Sequence, residues 1–174
     1  VYIEQGATHR LVIDADEETL DKIEVKVENG KLSIKPVNYG MNIKGDVEIY
    51  ITAPEYEKIG VAGSAKLFAN KKIESEELEL MISGSGEMSF NELIAEETEL
   101  KISGSGKAIL QGEAEEAEFA VAGSGTVNAD NFQADEVEVK ISGSGNCKVF
   151  AEGELDVSIA GSGKVMYRGN AEVD

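Results

Sequence analysis

The sequence has little of what disulfide-bonded, metal-binding or nucleic-acid-binding proteins depend on. Its one cysteine, Cys147, cannot form a disulfide within the chain. Its one histidine, His9, has no second histidine to share a metal, which argues against a metal site there. The 16 basic residues stand against 34 acidic ones, and a net charge of −18 repels nucleic acid, anionic lipid and acidic polysaccharide unless divalent cations intervene. Cations, basic proteins and neutral glycans remain as partner classes.

Aromatic residues, proline and long apolar runs are also scarce. Tryptophan is absent, there are two prolines, and aromatics make up 6% of a chain that is 41% hydrophobic, which predicts a slender core of Val, Ile, Leu and Ala. Because no apolar run is long enough to cross a bilayer as a helix, no transmembrane segment is predicted in this chain. The chain begins at Val1 in a strand-like pattern. We expect a mature or trimmed product from which any export signal has been removed.

What the sequence does contain is a repeated tripeptide, Gly-Ser-Gly. The copies lie at 84–86, 104–106, 123–125, 143–145 and 161–163, after a variant, Gly-Ser-Ala, at 63–65. The first glycines of the six copies are 21, 20, 19, 20 and 18 residues apart. A near-fixed period of this length predicts stacked structural units.

Apolar and polar residues alternate on both sides of each tripeptide, which predicts strands with one buried face. The residues six, four and two positions before the first glycine are predicted to point inward: Leu78, Leu80, Ile82; Thr98, Leu100, Ile102; Ala117, Phe119, Val121; Val137, Val139, Ile141; and Leu155, Val157, Ile159. A second set after the tripeptide is also predicted inward: Met88, Phe90; Ala108, Leu110; Val127, Ala129; Cys147, Val149; and Val165, Tyr167. A third wall is predicted from Ile73, Ile94, Ala114 and Phe132.

Two or three short strands per repeat, with no helical period, predict an all-β fold: a parallel β-helix, or solenoid, with rungs of roughly 20 residues. Equivalent residues of successive rungs then form columns with a spacing of about 4.8 Å. Leucine-rich repeats share the repeat length, but their Leu and Asn spacing and their helix are missing, and a β-propeller needs about 40 residues per blade. We predict that 59–174 form the rungs, within one structural domain.

Residues 1–58 lack the repeat and are predicted to form an antiparallel β portion that starts and caps the solenoid. Alternating residues predict two short strands around a turn at Gln5-Gly6, and another strand at 47–51. Asn29-Gly30 separates two further alternating runs. This dipeptide predicts a hairpin, because both central residues of a type I′ turn need positive φ.

The tripeptide column is predicted to form a sharp corner in every rung, since glycine reaches positive φ without a Cβ clash. The central serines are predicted to hydrogen-bond along the stack or to the turn: Ser64, Ser85, Ser105, Ser124, Ser144 and Ser162. Neither a phosphate-binding loop nor a catalytic serine is indicated, because no strand-to-helix context or partner lysine follows and no copy differs from the others. No catalytic residue and no cofactor site is predicted. Cys147 shares a column with Met88 and Val127 and is predicted to be a small buried hydrophobe.

An acidic column stands five residues before each first glycine, on the outward face: Glu79, Glu99, Glu118, Glu138 and Asp156. Corner pairs add to the charge: Glu76-Glu77, Glu96-Glu97, Glu115-Glu116 and Asp135-Glu136. One interpretation is a solvated face that prevents lateral aggregation of the strands. The alternative is weak Ca²⁺ binding between stacked carboxylates, because Ca²⁺ takes oxygen ligands, although the calcium-binding nonapeptide motif is missing.

Several motifs together resemble the bacterial putative autotransporter adhesin head domain, or GIN domain, a family of unknown function. They are ISGSG at 82–86, 102–106 and 141–145, VYIEQG at 1–6, ENGKLSI at 28–34 and VEIYITAPEYEKIGVAGSA at 47–65. The resemblance covers essentially the whole chain. It implies a right-handed β-helix, no established catalytic activity, and export to the periplasm, outer membrane or cell surface of a Gram-negative bacterium.

Three functions follow from these observations. The first is a non-enzymatic envelope or surface module for adhesion or scaffolding, with an unknown protein or glycan as partner. The second is a carbohydrate-active β-helix enzyme, a polysaccharide lyase or hydrolase, although an acid/base pair needs unequal environments and these carboxylates look equivalent. The third is a weakly calcium-binding structural protein. We expect the first, without catalysis, and a homo-oligomer formed through the solenoid ends near 167–174.

Overall fold

The computed structural model describes residues 1–38 and 46–173, and it is a parallel β-solenoid of about six turns with a small antiparallel sheet. The predicted all-β parallel β-helix is confirmed. In chain order the elements are β1 (Tyr2–Gln5), β2 (Arg10–Asp14), α1 (Glu17–Leu20), β3 (Ile23–Glu28), β4 (Lys31–Pro36), β5 (Glu48–Ala53), β6 (Lys58–Gly63), β7 (Lys66–Ala69), β8 (Ile73–Gly84), β9 (Glu87–Gly104), β10 (Lys107–Gly123), β11 (Thr126–Gly143), β12 (Asn146–Gly161), β13 (Lys164–Arg168) and β14 (Glu172–Val173). The main sheet has the order β13-β12-β11-β10-β9-β7-β1-β5-β2, while β6 pairs with β8 and β14 with β12.

Each regular rung is one long strand rather than the predicted two or three short ones. Strand β9 runs for 18 residues, and its ladder with β10 extends from Glu87 to Gly104 with a single irregularity. Successive rungs are in register, so the hydrogen-bonded ladder continues through most of each rung, with register shifts in β11–β12 between Ala129 and Gln133 and between Ala134 and Glu136. First glycines pair with first glycines, as in Gly84 with Gly104 and Gly104 with Gly123.

The glycines of the corner serve two different purposes. Gly104, a first glycine, has φ +120, and a Cβ there would lie 2.5 Å from the carbonyl oxygen of Gly84. Gly125, a third glycine, has no positive φ. Its lack of a side chain leaves room for the buried isoleucine beside it, since a Cβ there would lie 2.6 Å from Cγ2 of Ile102. The ladder crosses the corner through serine amides, as where Ser105 N donates to Gly84 O at 2.8 Å.

The predicted inward columns form one continuous hydrophobic core, as the burial of Leu80, Leu100 and Phe119 illustrates. The last rung differs, because Ile159 and Tyr167, predicted to point inward, are exposed. No further rung covers them among the described residues, which exclude Asp174.

The predicted third wall is correct at Ile73 and Phe132, which are buried, and at Ala114, which is half-buried against the core. It is wrong at Ile94. Asn91 and Glu92 are both exposed, so the alternation slips by one residue at this bend, and Leu93 becomes the buried partner of Ile73.

The N-terminal portion is only partly antiparallel. β1 pairs in parallel with both β5 and β7 and therefore belongs to the stack, whereas β2 pairs antiparallel with β5. The two strands predicted around Gln5-Gly6 exist, but they are not neighbours because β5 lies between them. The β3–β4 hairpin is confirmed, with φ of 50 at Asn29 and 77 at Gly30.

One helical turn, α1, was not predicted from the sequence, which has no helical period. Asp16 caps it, since its Oδ1 accepts from Thr19 N at 2.8 Å, and this hydrogen bond lowers the pKa of the Asp16 carboxyl. A four-residue helix is too short to produce a periodic apolar pattern, so the capping residue Asp16 was the one sequence feature that indicated a helix start.

Candidate functional site

The outward acidic column forms an in-register stack along one wall of the solenoid. Its pairs are Glu79 with Glu99, Glu99 with Glu118, Glu118 with Glu138, and Glu138 with Asp156. Lys58 of β6 continues the column before Glu79. Like charges one rung apart repel by about 0.9 kcal/mol per neighbour when fully solvated, so the stack needs compensating charge.

Lysines on the same wall supply that charge. Lys58 Nζ lies 2.6 Å from Glu79 Oε2, and this hydrogen bond lowers the pKa of the Glu79 carboxyl. Lys140 Nζ lies 2.7 Å from Glu138 and 3.2 Å from Glu118, and hydrogen bonds to both raise its pKa. Lys101 pairs with Glu99 in the same way, and its pKa is raised.

These ion pairs affect the predicted binding of Ca²⁺ between the stacked carboxylates of the acidic column. Lysine ammonium groups lie against the carboxylates that Ca²⁺ would need, and in 1–38 and 46–173 no group of three or more His, Cys, Asp or Glu side chains is placed to hold a metal ion. Calcium binding by this column stays a prediction. A calorimetric titration with Ca²⁺ that gives neither heat nor a shift in melting temperature would reject it.

Beside the column, the corner carboxylates line an open groove of about 1070 Å³. We call it the acidic groove, and its acidic residues are Glu55, Glu57, Glu74, Glu76, Glu77, Glu79, Glu96, Glu113, Glu115 and Asp135. Lys58 also lines it, and Tyr56, Ile94 and Ala114 contribute apolar surface. The groove therefore offers a row of carboxylates over a partly apolar floor.

The concave shape of the groove follows from two neighbouring columns. Small residues occupy one column, where Ser75 pairs with Ala95 and Ala95 pairs with Ala114. Glutamates flank it where Glu74 and Glu113 each pair with Ile94. Long polar side chains beside short ones leave a channel along the solenoid axis.

Tyr56 anchors the N-terminal end of the groove. Its hydroxyl donates to the carbonyl oxygens of Glu4 at 3.0 Å and Ile51 at 3.2 Å, and burial raises its pKa to about 12. Ser75 Oγ in turn donates to the Tyr56 carbonyl at 3.0 Å. The sequence contained no periodic signal for this residue, because it lies in the non-repeating turn between β5 and β6.

The carboxylates that line the acidic groove are hydrated anions. All of its carboxylates are exposed except Glu79, which is half-buried and paired with Lys58. Such groups attract cations and basic side chains, but they do not form a pair with one buried acid and one ionised base.

The two remaining candidates lie elsewhere. Cys147 is fully buried, as predicted, and burial raises the pKa of its thiol to about 12. His9 is exposed, in the segment between β1 and β2.

The chain is similar over nearly its whole length to known proteins. Residues 1–171 match the family described as "Putative auto-transporter adhesin, head GIN domain". A putative lipid binding protein from Parabacteroides distasonis ATCC 8503 is 26% identical, with a TM-score of 0.76 over 99% of this chain and 82% of that one. A putative adhesin from Bacteroides fragilis NCTC 9343 is 21% identical, with a TM-score of 0.83 over 99% and 85% of the two chains.

A putative adhesin from Parabacteroides merdae ATCC 43184 is 22% identical, with a TM-score of 0.76 over 99% and 81% of the two chains. Because the two adhesins are only 21% and 22% identical to this chain, their similarity supports its fold and not its function. No curated protein matches the chain. Within the described residues, no helix has the length and apolar character that crossing a membrane requires.

Proposed function

Because the chain belongs to the family of putative auto-transporter adhesin head (GIN) domains, we propose that it is a non-enzymatic module of the bacterial cell envelope or surface that binds a partner through its acidic groove. Family membership and the adhesin descriptions of its structural neighbours support a surface or exported protein with a binding role. The solenoid supports the same role, since stacked rungs present an extended, rigid surface.

The observation that carries the proposal is the charge of the groove. Among the residues that the structure describes, ten carboxylates and one lysine line a channel that spans residues from Glu55 to Asp135. A partner that enters it must neutralise that charge, so the partner we propose is an extended basic segment of another surface protein, whose aliphatic lysine and arginine stems would cover the apolar floor. Neutral glycan is the alternative, and it would bind independently of salt.

Binding of a lysine- and arginine-rich peptide, measured by calorimetry at low and physiological salt, tests this proposal. The groove variant carries Glu76→Gln, Glu96→Gln and Glu115→Gln, and a control carries Glu17→Gln, Glu92→Gln and Glu154→Gln, three exposed glutamates outside the groove. Both variants lose the same charge. With about 0.5–1 kcal/mol per ion pair, the groove variant should bind tenfold or more weakly than the control.

Two outcomes would overturn the groove as the binding surface. One is equal weakening in both variants, because only the net charge would then matter. The other is salt-independent binding of a neutral glycan in place of the peptide.

The enzyme alternative has its own test. Incubation with neutral and acidic polysaccharides should release no new reducing ends and no unsaturated sugars, because the one half-buried carboxylate among the described groove residues, Glu79, is paired with Lys58 and is therefore not a general acid. Turnover that the groove variant abolishes would replace the binding role with catalysis.

A further inference from the structure

Three aromatic side chains form a row on the outward face of one wall. Tyr50 of β5, Tyr2 of β1 and Phe68 of β7 are register partners on neighbouring strands. Ile3 and Leu67, which adjoin Tyr2 and Phe68 in the chain, are buried in the core, so the rings point away from it. We call Tyr50, Tyr2 and Phe68 the aromatic row.

The rings of the aromatic row stack on one another and stay accessible. The centroids of the Tyr2 and Tyr50 rings are 5.2 Å apart with an interplanar angle of 15°, and those of Tyr2 and Phe68 are 5.7 Å apart at 31°. Because carbon atoms in contact lie about 3.5–4.0 Å apart, centroids at these distances mean offset rings whose faces overlap only in part. Tyr50 is 41% exposed, and Tyr2 and Phe68 are half-buried. The row is therefore an ordered aromatic surface that a ligand can reach.

Hydrogen-bonding side chains flank the aromatic row on both sides. On one side, Tyr50 Oη donates to Glu48 Oε2 at 2.8 Å. On the other, Thr52 Oγ1 donates to Glu4 Oε1 at 3.3 Å, and Lys71 Nζ lies 2.6 Å from Glu4 Oε2. A ligand on the rings would thus meet carboxylate, hydroxyl and ammonium groups at its edges.

The charges around the aromatic row balance. Strands β1, β2, β5 and β7 carry three acidic and two basic side chains: Glu4, Asp14, Glu48, Arg10 and Lys66. Lys71, which pairs with Glu4, adds a third positive charge. This surface is therefore neutral in a chain whose net charge is −18, and since the rest of the chain repels anions, an uncharged polar ligand suits it best.

From the rings and their polar flanks, we propose that the aromatic row binds a neutral glycan. The C–H face of a sugar ring packs on an aromatic face, and sugar hydroxyls both donate and accept hydrogen bonds, as flanks of mixed sign require. Because the rings already pack against one another, binding would cost little side-chain entropy.

Other occupants fit this surface less well. An acyl chain would cover the rings but would leave the charged flanks without partners. A single row of rings is also narrow beside the about 800 Å² that each partner buries in a stable protein interface. None of the three row residues lines the acidic groove, so this is a second surface, and the inference does not depend on the proposed function.

Calorimetric titration of the full chain with short β-linked oligomers of glucose, of mannose and of galactose tests the proposal. At least one should bind, with an affinity that salt does not change. Tyr50→Ala removes one ring and should weaken binding by about tenfold. Tyr167→Ala is the matched control, since it removes the same side chain from β13, where Tyr167 is 53% exposed, and should bind as the native chain does.

Tyr50→Phe separates the ring from its hydroxyl. It keeps the stacking surface and loses the hydrogen bond to Glu48, so it should bind nearly as well as the native chain. Because Tyr50 is already exposed, circular dichroism should show both Tyr50 variants folded. In saturation-transfer NMR, irradiation of the aromatic protons should reach the sugar C–H protons, and Tyr50→Ala should reduce this transfer.

Failure of all three oligomers to bind would overturn the proposal, as would equal binding by Tyr50→Ala and Tyr167→Ala. An equal loss in Tyr50→Phe and Tyr50→Ala would also overturn it, because the ring would then not be the contact. Binding that the groove variant weakens and Tyr50→Ala leaves unchanged would place the glycan in the acidic groove instead. A dimer, or lipid uptake, that Tyr50→Ala abolishes in a chain that binds no glycan would assign the row to a second copy or to an acyl chain.

Discussion

The side-chain amide of Gln5 pairs with the backbone of Glu74 as a neighbouring strand would. Its Oε1 accepts from Glu74 N at 2.8 Å, and its Nε2 donates to the Glu74 carbonyl oxygen at 2.9 Å. The same Nε2 donates to the Pro54 carbonyl oxygen at 2.8 Å, so both amide donors are used. Through this one side chain, the end of β1 is joined to the turn after β5 and to the start of β8.

Replacing Gln5 should loosen the junction between the N-terminal portion and the solenoid. Gln5→Ala removes three hydrogen bonds and should lower the free energy of unfolding by about 1–3 kcal/mol, measured by urea denaturation. Gln5→Glu keeps an acceptor but loses both donors, so it should also destabilise. Gln133→Ala, at an exposed position in the groove, should have no measurable effect. Equal stability of all three variants would show that the Gln5 bonds contribute nothing net.

The corner glycines should differ in their tolerance of a side chain. Gly104→Ala forces alanine to φ +120 and places its Cβ against the Gly84 carbonyl, which should cost about 3 kcal/mol. Gly63→Ala is at φ +71, where the added Cβ would have no neighbouring atom of the described residues within 4 Å, and it should cost only about 1–2 kcal/mol. Comparing the two variants by urea denaturation separates the cost of a Cβ that meets the neighbouring rung from the cost of a positive φ. Equal costs would mean that the approach of neighbouring rungs is not the constraint.

Thr98 is a core position at which a substitution should increase the stability of the fold. Its hydroxyl is buried and has no hydrogen-bond partner within 1–38 and 46–173, in a column whose neighbouring members are Leu78 and Ala117. Thr98→Val keeps the shape and removes the unsatisfied group, so it should stabilise the fold by about 1 kcal/mol in thermal and urea unfolding. The same change at half-buried Thr126 should be nearly neutral. A loss of stability on Thr98→Val would indicate that the hydroxyl is satisfied in solution.

Tyr56 should make stability depend on alkaline pH. Burial raises its pKa from 10.0 to about 12, so the folded state favours the neutral phenol that donates to Glu4 and Ile51. Its contribution is fully present below about pH 10 and is lost as the pH rises toward about 12. Tyr56→Phe should cost about 1 kcal/mol at neutral pH and should flatten this dependence. An unchanged alkaline slope in Tyr56→Phe would assign the dependence to other groups.

Most of the fold could be predicted from the period of the Gly-Ser-Gly repeat. A residue such as Leu100 occupies the same environment as Leu80 because every rung repeats the same covalent pattern, and parallel stacking places equivalent atoms above one another. Alternation failed at Ile94, where two exposed residues at a bend shift the inward face by one position. Nothing local distinguishes such a bend from continued strand, since only the neighbouring rung decides where the chain turns.

The candidate site was only partly visible in the sequence. The acidic column and the corner pairs could be aligned from the tripeptides, because charge and spacing are local properties. That these carboxylates line a groove with Tyr56 at one end could not, since Tyr56 lies outside the repeat and its hydroxyl bonds to Glu4, 52 residues away.

The sequence by itself determined that the chain coils into stacked rungs, which corners need glycine and which columns are apolar or acidic, because each of these depends on residues close together in the chain. Only the tertiary structure decided that β5 separates β1 from β2, that Gln5 ties the two portions together, and that the acidic pairs line one groove beside Tyr56. Those features depend on contacts between distant segments, where competing pairings differ by small free energies that no local pattern records.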